Sequence, residues 1–152
     1  MAETLNPYNL IGQEQTRHYW ESLIRSGRLG HAHILSGHSG VGKDAMALTI
    51  ATTLNCKAES NKPCGECSAC RQMQNFEHPA LQLLFALPRR SASQTDPFNG
   101  IKDEEMDLIN AELAKKVKWP YYHLQIDGAN DIRIAAIRKL RKDIYLAHDT
   151  GS

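Results

Sequence analysis

Residues 37–44 read Gly37-His38-Ser39-Gly40-Val41-Gly42-Lys43-Asp44 and match the pattern G-x-x-x-x-G-K. The apolar segment 32–36 precedes this match, and apolar residues at helical spacing follow it. A strand, a glycine-rich loop and a helix in this order form a P-loop, in which backbone N–H groups and the helix N-terminus hold nucleotide phosphates. The sequence therefore predicts a P-loop with a nucleotide site at residues 37–44, where Lys43 reaches the phosphate oxygens.

Further segments predict an α/β fold with a parallel sheet flanked by helices. Helical periodicity extends over residues 12–26, and residues 81–87 form a second apolar run of strand length. Two buried strands on either side of a helix indicate a βαβ unit. We also expect a charged helix over 102–116, a third candidate strand over 121–126 and a helix over 134–146. Residues 88–100 have the composition of a surface loop.

The eighth position of the P-loop departs from the pattern. It is normally Ser or Thr, whose hydroxyl binds Mg²⁺, and here it is Asp44. A carboxylate there adds a negative charge close to the phosphates, which costs on the order of several kcal/mol before a metal ion compensates. Asp44 also lies in the first helical turn, where an acid is favoured and partly fills the anion site itself. We therefore expect ATP or ADP with Mg²⁺ to bind weakly or not at all.

A second motif contains all four cysteines of the chain, in the pattern C-x7-C-x2-C-x2-C: Cys56, Cys64, Cys67 and Cys70. The C-x2-C steps let paired thiolates reach one ion in tetrahedral geometry, and four protein ligands leave no open position for a substrate. The pattern therefore predicts a structural zinc site. An iron–sulfur cluster is the alternative that four thiolates leave open.

Composition excludes several classes of protein. The formal net charge of +1 gives no global attraction to nucleic acid or to a membrane surface. No apolar segment reaches the length of a membrane span, and the N-terminus lacks the form of a signal peptide. We therefore expect a cytoplasmic protein with no membrane partner, in which clustered cysteines bind metal instead of forming disulfides.

The order of these motifs resembles the first AAA+ domain of bacterial clamp-loader subunits, the gamma/tau and delta-prime family of DNA polymerase III. The matching segments are Ile11-Gly-Gln-Glu14, Gly27-Arg-Leu-Gly-His-Ala-His33, the P-loop, Leu54-Asn-Cys56 and Cys64-Gly-Glu-Cys-Ser-Ala-Cys70. The resemblance implies a partial AAA+ domain over 1–152, a zinc-binding insertion over 56–70 and a family-variable insertion over 88–128. It also implies that Ile11 and Gly12 lie beside the adenine of a bound nucleotide.

Within this family, Asp44 and the His78-Pro79-Ala80 segment favour a delta-prime-like subunit. The resemblance then implies a role in ATP-driven loading of the sliding clamp during DNA replication. The implied partners are the gamma/tau and delta subunits and, through them, the clamp and primer-template DNA. The alternatives are a gamma/tau ATPase subunit and a free-standing P-loop NTPase, against which Asp44 argues. A zinc-ribbon module for nucleic acid is disfavoured because residues 56–70 contain no aromatic residue.

An AAA+ ATPase also needs a strand ending in Asp-Glu, a polar sensor and an arginine motif. Residues 121–127 are the nearest match to that strand, but they end in the single acid Asp127. The resemblance implies that the missing parts follow Ser152, so that the sequence is an N-terminal fragment. DNA polymerase III is an enzyme, but we assign no catalytic residue to this chain and expect it not to hydrolyse ATP alone.

Overall fold

The computed structural model describes Tyr8, residues 10–88 and residues 96–149, with side chains as far as Tyr145. Within these residues the chain forms five helices, in order α1 (Glu14–Arg25), α2 (Lys43–Asn55), α3 (Ser68–Gln74), α4 (Asp103–Lys118) and α5 (Ile134–Asp149). None of the helices described is both long and apolar enough to cross a membrane. The contacts divide the chain into two compact units, and residues 116–122 belong to the first, with the residues up to Leu81.

The first unit is built around α2. Its apolar residues pack with those of α1 and of the segment before it, in a core that comprises Tyr8, Leu10, Trp20, Ala45, Met46 and Leu48. Thr52 of α2 is buried, and its hydroxyl donates to the carbonyl of Leu48 at 2.7 Å and lies 2.8 Å from the Tyr8 hydroxyl. The one polar side chain that α2 turns into this region is therefore hydrogen-bonded, as burial requires.

The second unit comprises residues 82–115 and those from His123 onward. Arg133, the residue before α5, connects separate segments of this unit, because its guanidinium donates to the carbonyls of Pro97 at 2.7 Å, of Asn99 at 2.9 Å and of Pro88. Glu112 of α4 accepts the backbone N–H of Gln125 at 2.9 Å. The surface loop predicted over 88–100 falls partly on residues 89–95, which lie outside the described residues.

The prediction of a parallel sheet is wrong for the part of the chain that the structure describes. Its only strand-like pairing is an isolated antiparallel bridge, in which the N–H of Leu87 donates to the carbonyl of Asp131 at 3.2 Å. The segments predicted as strands at 32–36 and 121–126 contain no strand residue, and 81–87 contains only this bridge. The described chain is helical, with irregular connections, and not α/β.

The reason for this difference lies in what an apolar run specifies. Such a run favours burial, but a strand forms only where a second segment completes its ladder of hydrogen bonds. Here only Leu35 of the first run packs partly against the core, whereas Ile34 is 94% exposed. His33 turns back on its own chain, with Nε2 3.0 Å from the carbonyl oxygen of Gly30 and its ring edge-on to Trp20.

Candidate functional site

The P-loop motif forms a glycine-dependent turn ahead of α2. Gly40 and Gly42 have φ of 79° and 90°, in the left-handed region that glycine adopts without strain. A side chain at Gly42 would also be crowded, because a Cβ would lie 3.0 Å from Cε1 and 3.2 Å from Oη of Tyr121. Gly37, His38, Ser39 and Gly40 are exposed and Val41 is half-buried. The sequence therefore forms a tight loop, and it does so without a flanking sheet in the described residues.

Lys43 bonds to its own loop. Its ammonium donates to the carbonyl oxygens of His38 at 2.8 Å and Gly37 at 3.0 Å. The lysine predicted to reach phosphate oxygens thus has acceptors within the motif, and it folds over the first two residues of the P-loop.

Asp44 is paired with a lysine that belongs to none of the sequence motifs. Its Oδ2 lies 2.6 Å from Nζ of Lys116, in the last turn of α4. The same ammonium donates to the carbonyls of Tyr122 at 2.7 Å and Pro120 at 3.2 Å, so each of its three N–H donors has an acceptor. The Lys116 side chain is only 5% exposed, whereas that of Asp44 is 59% exposed. No local pattern could have found this pair, because 72 residues separate its members.

Tyr121 connects the loop with the segment predicted to lie beside the adenine. Its hydroxyl accepts the backbone N–H of Ile11 at 3.1 Å, and its ring lies against Gly42. Trp119 packs on Tyr121 with ring centroids 5.4 Å apart. Ile11 itself is 79% exposed, and Gly12 has a φ of 72°. The structure therefore brings Ile11 close to the P-loop, through a tyrosine in the segment 121–126 that was expected to be a strand.

The four cysteines converge at the junction of α2 and α3. Cys56 is the residue after α2, Cys67 caps the N-terminus of α3 and Cys70 lies in its first turn. All four sulfur atoms lie within 4.8 Å of one another, and those of Cys64 and Cys70 are 3.9 Å apart. Tetrahedral bonds of about 2.3 Å to one ion would separate the sulfurs by about 3.8 Å. The cluster can therefore hold a metal ion.

Backbone N–H groups point at the sulfur atoms. The N–H of Cys64 donates to Cys56 at 3.3 Å, that of Cys67 to Cys64 at 3.4 Å and that of Cys70 to Cys67 at 3.4 Å. Gly65, with a φ of 76°, allows the turn between Cys64 and Cys67. These hydrogen bonds favour thiolates over thiols, and the thiolate is the form that binds metal.

This environment shifts the pKa values of individual thiols in different directions. Hydrogen bonds from the backbone N–H groups of Lys57 and Cys70 lower the pKa of Cys67 to about 6. Burial raises the pKa of Cys70 to about 12. Burial also opposes ionisation of Cys56, but hydrogen bonds from backbone N–H groups outweigh it and leave the pKa of Cys56 below its ordinary value. Four neighbouring thiolates repel one another, so a divalent cation is what lets all four ionise together.

The first unit thus combines a glycine-dependent turn with the P-loop sequence pattern at the start of α2 and, at the end of the same helix, four cysteines that could hold a metal ion. The family described as DNA polymerase III, delta subunit, matches residues 12–151. The chain therefore belongs to this family of clamp-loader subunits, and the resemblance inferred from the sequence is confirmed.

Relatives from both branches of the family are similar to this chain. The delta' subunit of DNA polymerase III from Bacillus subtilis is 34% identical over 92 residues, which cover 60% of this chain and 25% of that protein. The tau subunit of Escherichia coli is 36% identical over 88 residues, which cover 57% of this chain and 14% of that protein. The chain thus spans a quarter or less of the length of these relatives. No solved structure gave a significant match.

Proposed function

We propose that this protein is a delta-prime-like subunit of the clamp loader of bacterial DNA polymerase III, and that it takes part in ATP-driven loading of the sliding clamp during DNA replication. The family match over residues 12–151 carries this proposal. Its partners are then the gamma/tau and delta subunits and, through them, the clamp and primer-template DNA. This role places the protein in the cytoplasm with the replication machinery.

The domain boundaries are part of the same proposal: a partial AAA+ domain over 1–152, a zinc-binding insertion over 56–70 and a variable insertion over 88–128. Residues 37–44, together with Ile11 and Gly12, are the nucleotide-type site. Its use for hydrolysis is disfavoured by Asp44, which stands where a hydroxyl binds Mg²⁺ and is paired with Lys116. The chain contributes its fold and its contacts with other subunits, and no catalytic residue.

The cysteine cluster holds one structural zinc ion in this proposal. Four thiol ligands within 4.8 Å of one another, with the sulfurs of Cys64 and Cys70 at 3.9 Å, support zinc, and they leave no position for a substrate. Metal analysis of the purified chain is expected to give one zinc per chain. Iron together with the brown colour of an iron–sulfur cluster would contradict zinc. A variant with Cys64→Ser and Cys67→Ser is the matched control and is expected to bind neither.

Assembly with other subunits tests the proposed role. The tagged chain is mixed with gamma/tau and delta subunits from the same organism and passed over a sizing column, with the Cys64→Ser, Cys67→Ser variant in parallel. We expect the unmodified chain to elute with these subunits. Separate elution, with and without ATP, would contradict the proposal.

A gamma/tau ATPase subunit is the second candidate, because the tau subunit of Escherichia coli is also similar to this chain. The two candidates differ in whether the P-loop of this chain contributes to ATP hydrolysis by the assembled loader. If the chain is delta-prime-like, Lys43→Met in this chain leaves the ATP hydrolysis of the assembled loader unchanged. If it is a gamma/tau subunit, the same substitution lowers that hydrolysis, because the P-loop lysine contacts the transferred phosphate.

A further inference from the structure

Residues Lys116–Tyr122 lie in the same compact unit as the P-loop and contact it at two places. We propose that this segment, the strap, closes the P-loop against nucleotide from within the chain. Lys116 takes the place of Mg²⁺ beside Asp44, and Tyr121 occupies the space between Gly42 and Ile11. The proposal rests on assigning residues 37–44 as a nucleotide-type loop, and it adds what fills that loop.

At the metal side of the loop, the strap supplies a cation of its own. Lys116 brings its ammonium within 2.6 Å of the Asp44 carboxylate, at the motif position where a hydroxyl normally binds Mg²⁺. The two strap carbonyls that this ammonium also contacts, those of Pro120 and Tyr122, hold it in a buried position. A divalent cation at Asp44 would have to displace a buried, fully hydrogen-bonded ammonium or be repelled by it.

At the other side, the strap supplies an aromatic ring. Tyr121 lies against Gly42, where a Cβ atom would be only 3.0 Å from its ring, and its hydroxyl accepts the N–H of Ile11. Trp119 packs on the Tyr121 ring and is 53% exposed. The space between Gly42 and Ile11 is therefore filled by the Tyr121 side chain. A hydrogen bond to Ile11 and packing against Trp119 hold this side chain in place.

Lys43, the residue predicted to reach the phosphates, is also engaged within the chain. Lys43 donates to the carbonyls of Gly37 and His38, so its charge is directed at the loop backbone. A triphosphate would have to break these two hydrogen bonds, displace Tyr121 and separate Lys116 from Asp44. Each step exchanges an existing interaction for a new one, so the net gain from binding is small.

Calorimetry on an opened variant tests the strap. The opened variant carries Asp44→Thr, Lys116→Met and Tyr121→Ala. A matched control carries Asp44→Thr, Lys118→Met and Tyr145→Ala, which makes the same changes in composition at an exposed lysine and an exposed tyrosine. We expect MgATP to bind the opened variant at least tenfold more tightly than the control and the unmodified chain. Equal affinity of the opened variant and the control would overturn the proposal.

Hydrogen exchange on the unmodified chain gives a second test that does not depend on any substitution. Millimolar MgATP is expected to leave the exchange of residues 37–44 and 116–122 unchanged. Protection of residues 37–44 by MgATP would overturn the proposal. Both measurements use the chain alone, so a failure to assemble with clamp-loader subunits would contradict the proposed function and leave this inference standing.

Discussion

At the scale of single residues, Lys116 is a charged side chain for which the structure shows an acceptor for every N–H donor. It is buried, and its three donors meet the Asp44 carboxylate and two backbone carbonyls. Replacing it by an apolar side chain of similar length removes the donor from all three acceptors, while Asp44, 59% exposed, remains hydrated. The cost should come mainly from the two carbonyls and not from the carboxylate.

We therefore predict that Lys116→Met lowers the free energy of unfolding by about 1–3 kcal/mol. The control is Lys118→Met, which removes the same charge two residues away at an exposed position and should change it by less than about 0.5 kcal/mol. Urea unfolding followed by circular dichroism measures both. Equal effects of the two substitutions would show that the contacts of Lys116 do not stabilise the fold.

Gly42 and Gly40 form a natural pair for testing the contact with Tyr121. Both have positive φ, but a Cβ at Gly42 would meet Tyr121, whereas a Cβ at Gly40 would have no atom within 4 Å. Alanine at either position costs about 1–3 kcal/mol for its backbone conformation. We predict that Gly42→Ala costs roughly 1 kcal/mol more than Gly40→Ala, because of crowding.

The same comparison in a Tyr121→Ala background isolates the contact. Without the tyrosine ring, the two glycine substitutions should become equal within about 0.5 kcal/mol, as measured by urea unfolding. If the difference persists in this background, crowding against Tyr121 is not its cause.

At the scale of elements, α2 joins the two motifs of the chain. It begins directly after Gly42 of the P-loop and ends at Asn55, directly before Cys56 of the cysteine cluster. The cluster continues into α3, whose N-terminus is capped by Cys67. A metal ion bound there would tie the end of one helix to the start of the next, and its binding free energy would contribute to folding.

Removal of the metal is therefore predicted to destabilise this region. Structural zinc contributes on the order of 10 kcal/mol in small zinc peptides, so chelation should lower the Tm by more than about 10 °C. Hydrogen exchange should increase first in residues 56–74. The Cys64→Ser, Cys67→Ser variant is the control and should show no further change with chelator. A Tm unaffected by chelation in the unmodified chain would contradict a structural metal.

Four of the five described helices and the grouping of the cysteines were predictable from sequence because they depend on local spacing, whereas α3, in and after the cysteine motif, was not predicted. Apolar residues that include Trp20 in α1 and Leu48 in α2 are spaced with the helical period, and both helices formed where that period predicted them. The sheet was not predictable, because strand formation depends on a distant partner that an apolar run such as residues 32–36 does not specify. The Lys116–Asp44 and Tyr121–Gly42 contacts are non-local for the same reason, and no spacing rule indicates them.

At the scale of the whole molecule, the two compact units carry different kinds of residue. The P-loop, the four cysteines and the strap all belong to the first unit, whereas α5 and most of α4 belong to the second. The chemistry suggested by the motifs is thus concentrated in one unit. In that unit the eighth position of the P-loop motif is the carboxylate of Asp44, and Lys116 forms an ion pair with it from within the chain.

These features predict that the purified chain does not hydrolyse ATP. Hydrolysis needs a bound Mg²⁺ that bridges the phosphates and a residue that orients the attacking water. The motif supplies Asp44 in place of the usual hydroxyl, and Asp44 is paired with Lys116. Phosphate release by the chain should equal that of a Lys43→Met variant prepared in the same way, because any activity common to both comes from contaminants. Release that is present in the unmodified chain and lost in Lys43→Met would contradict the prediction and assign catalysis to this P-loop.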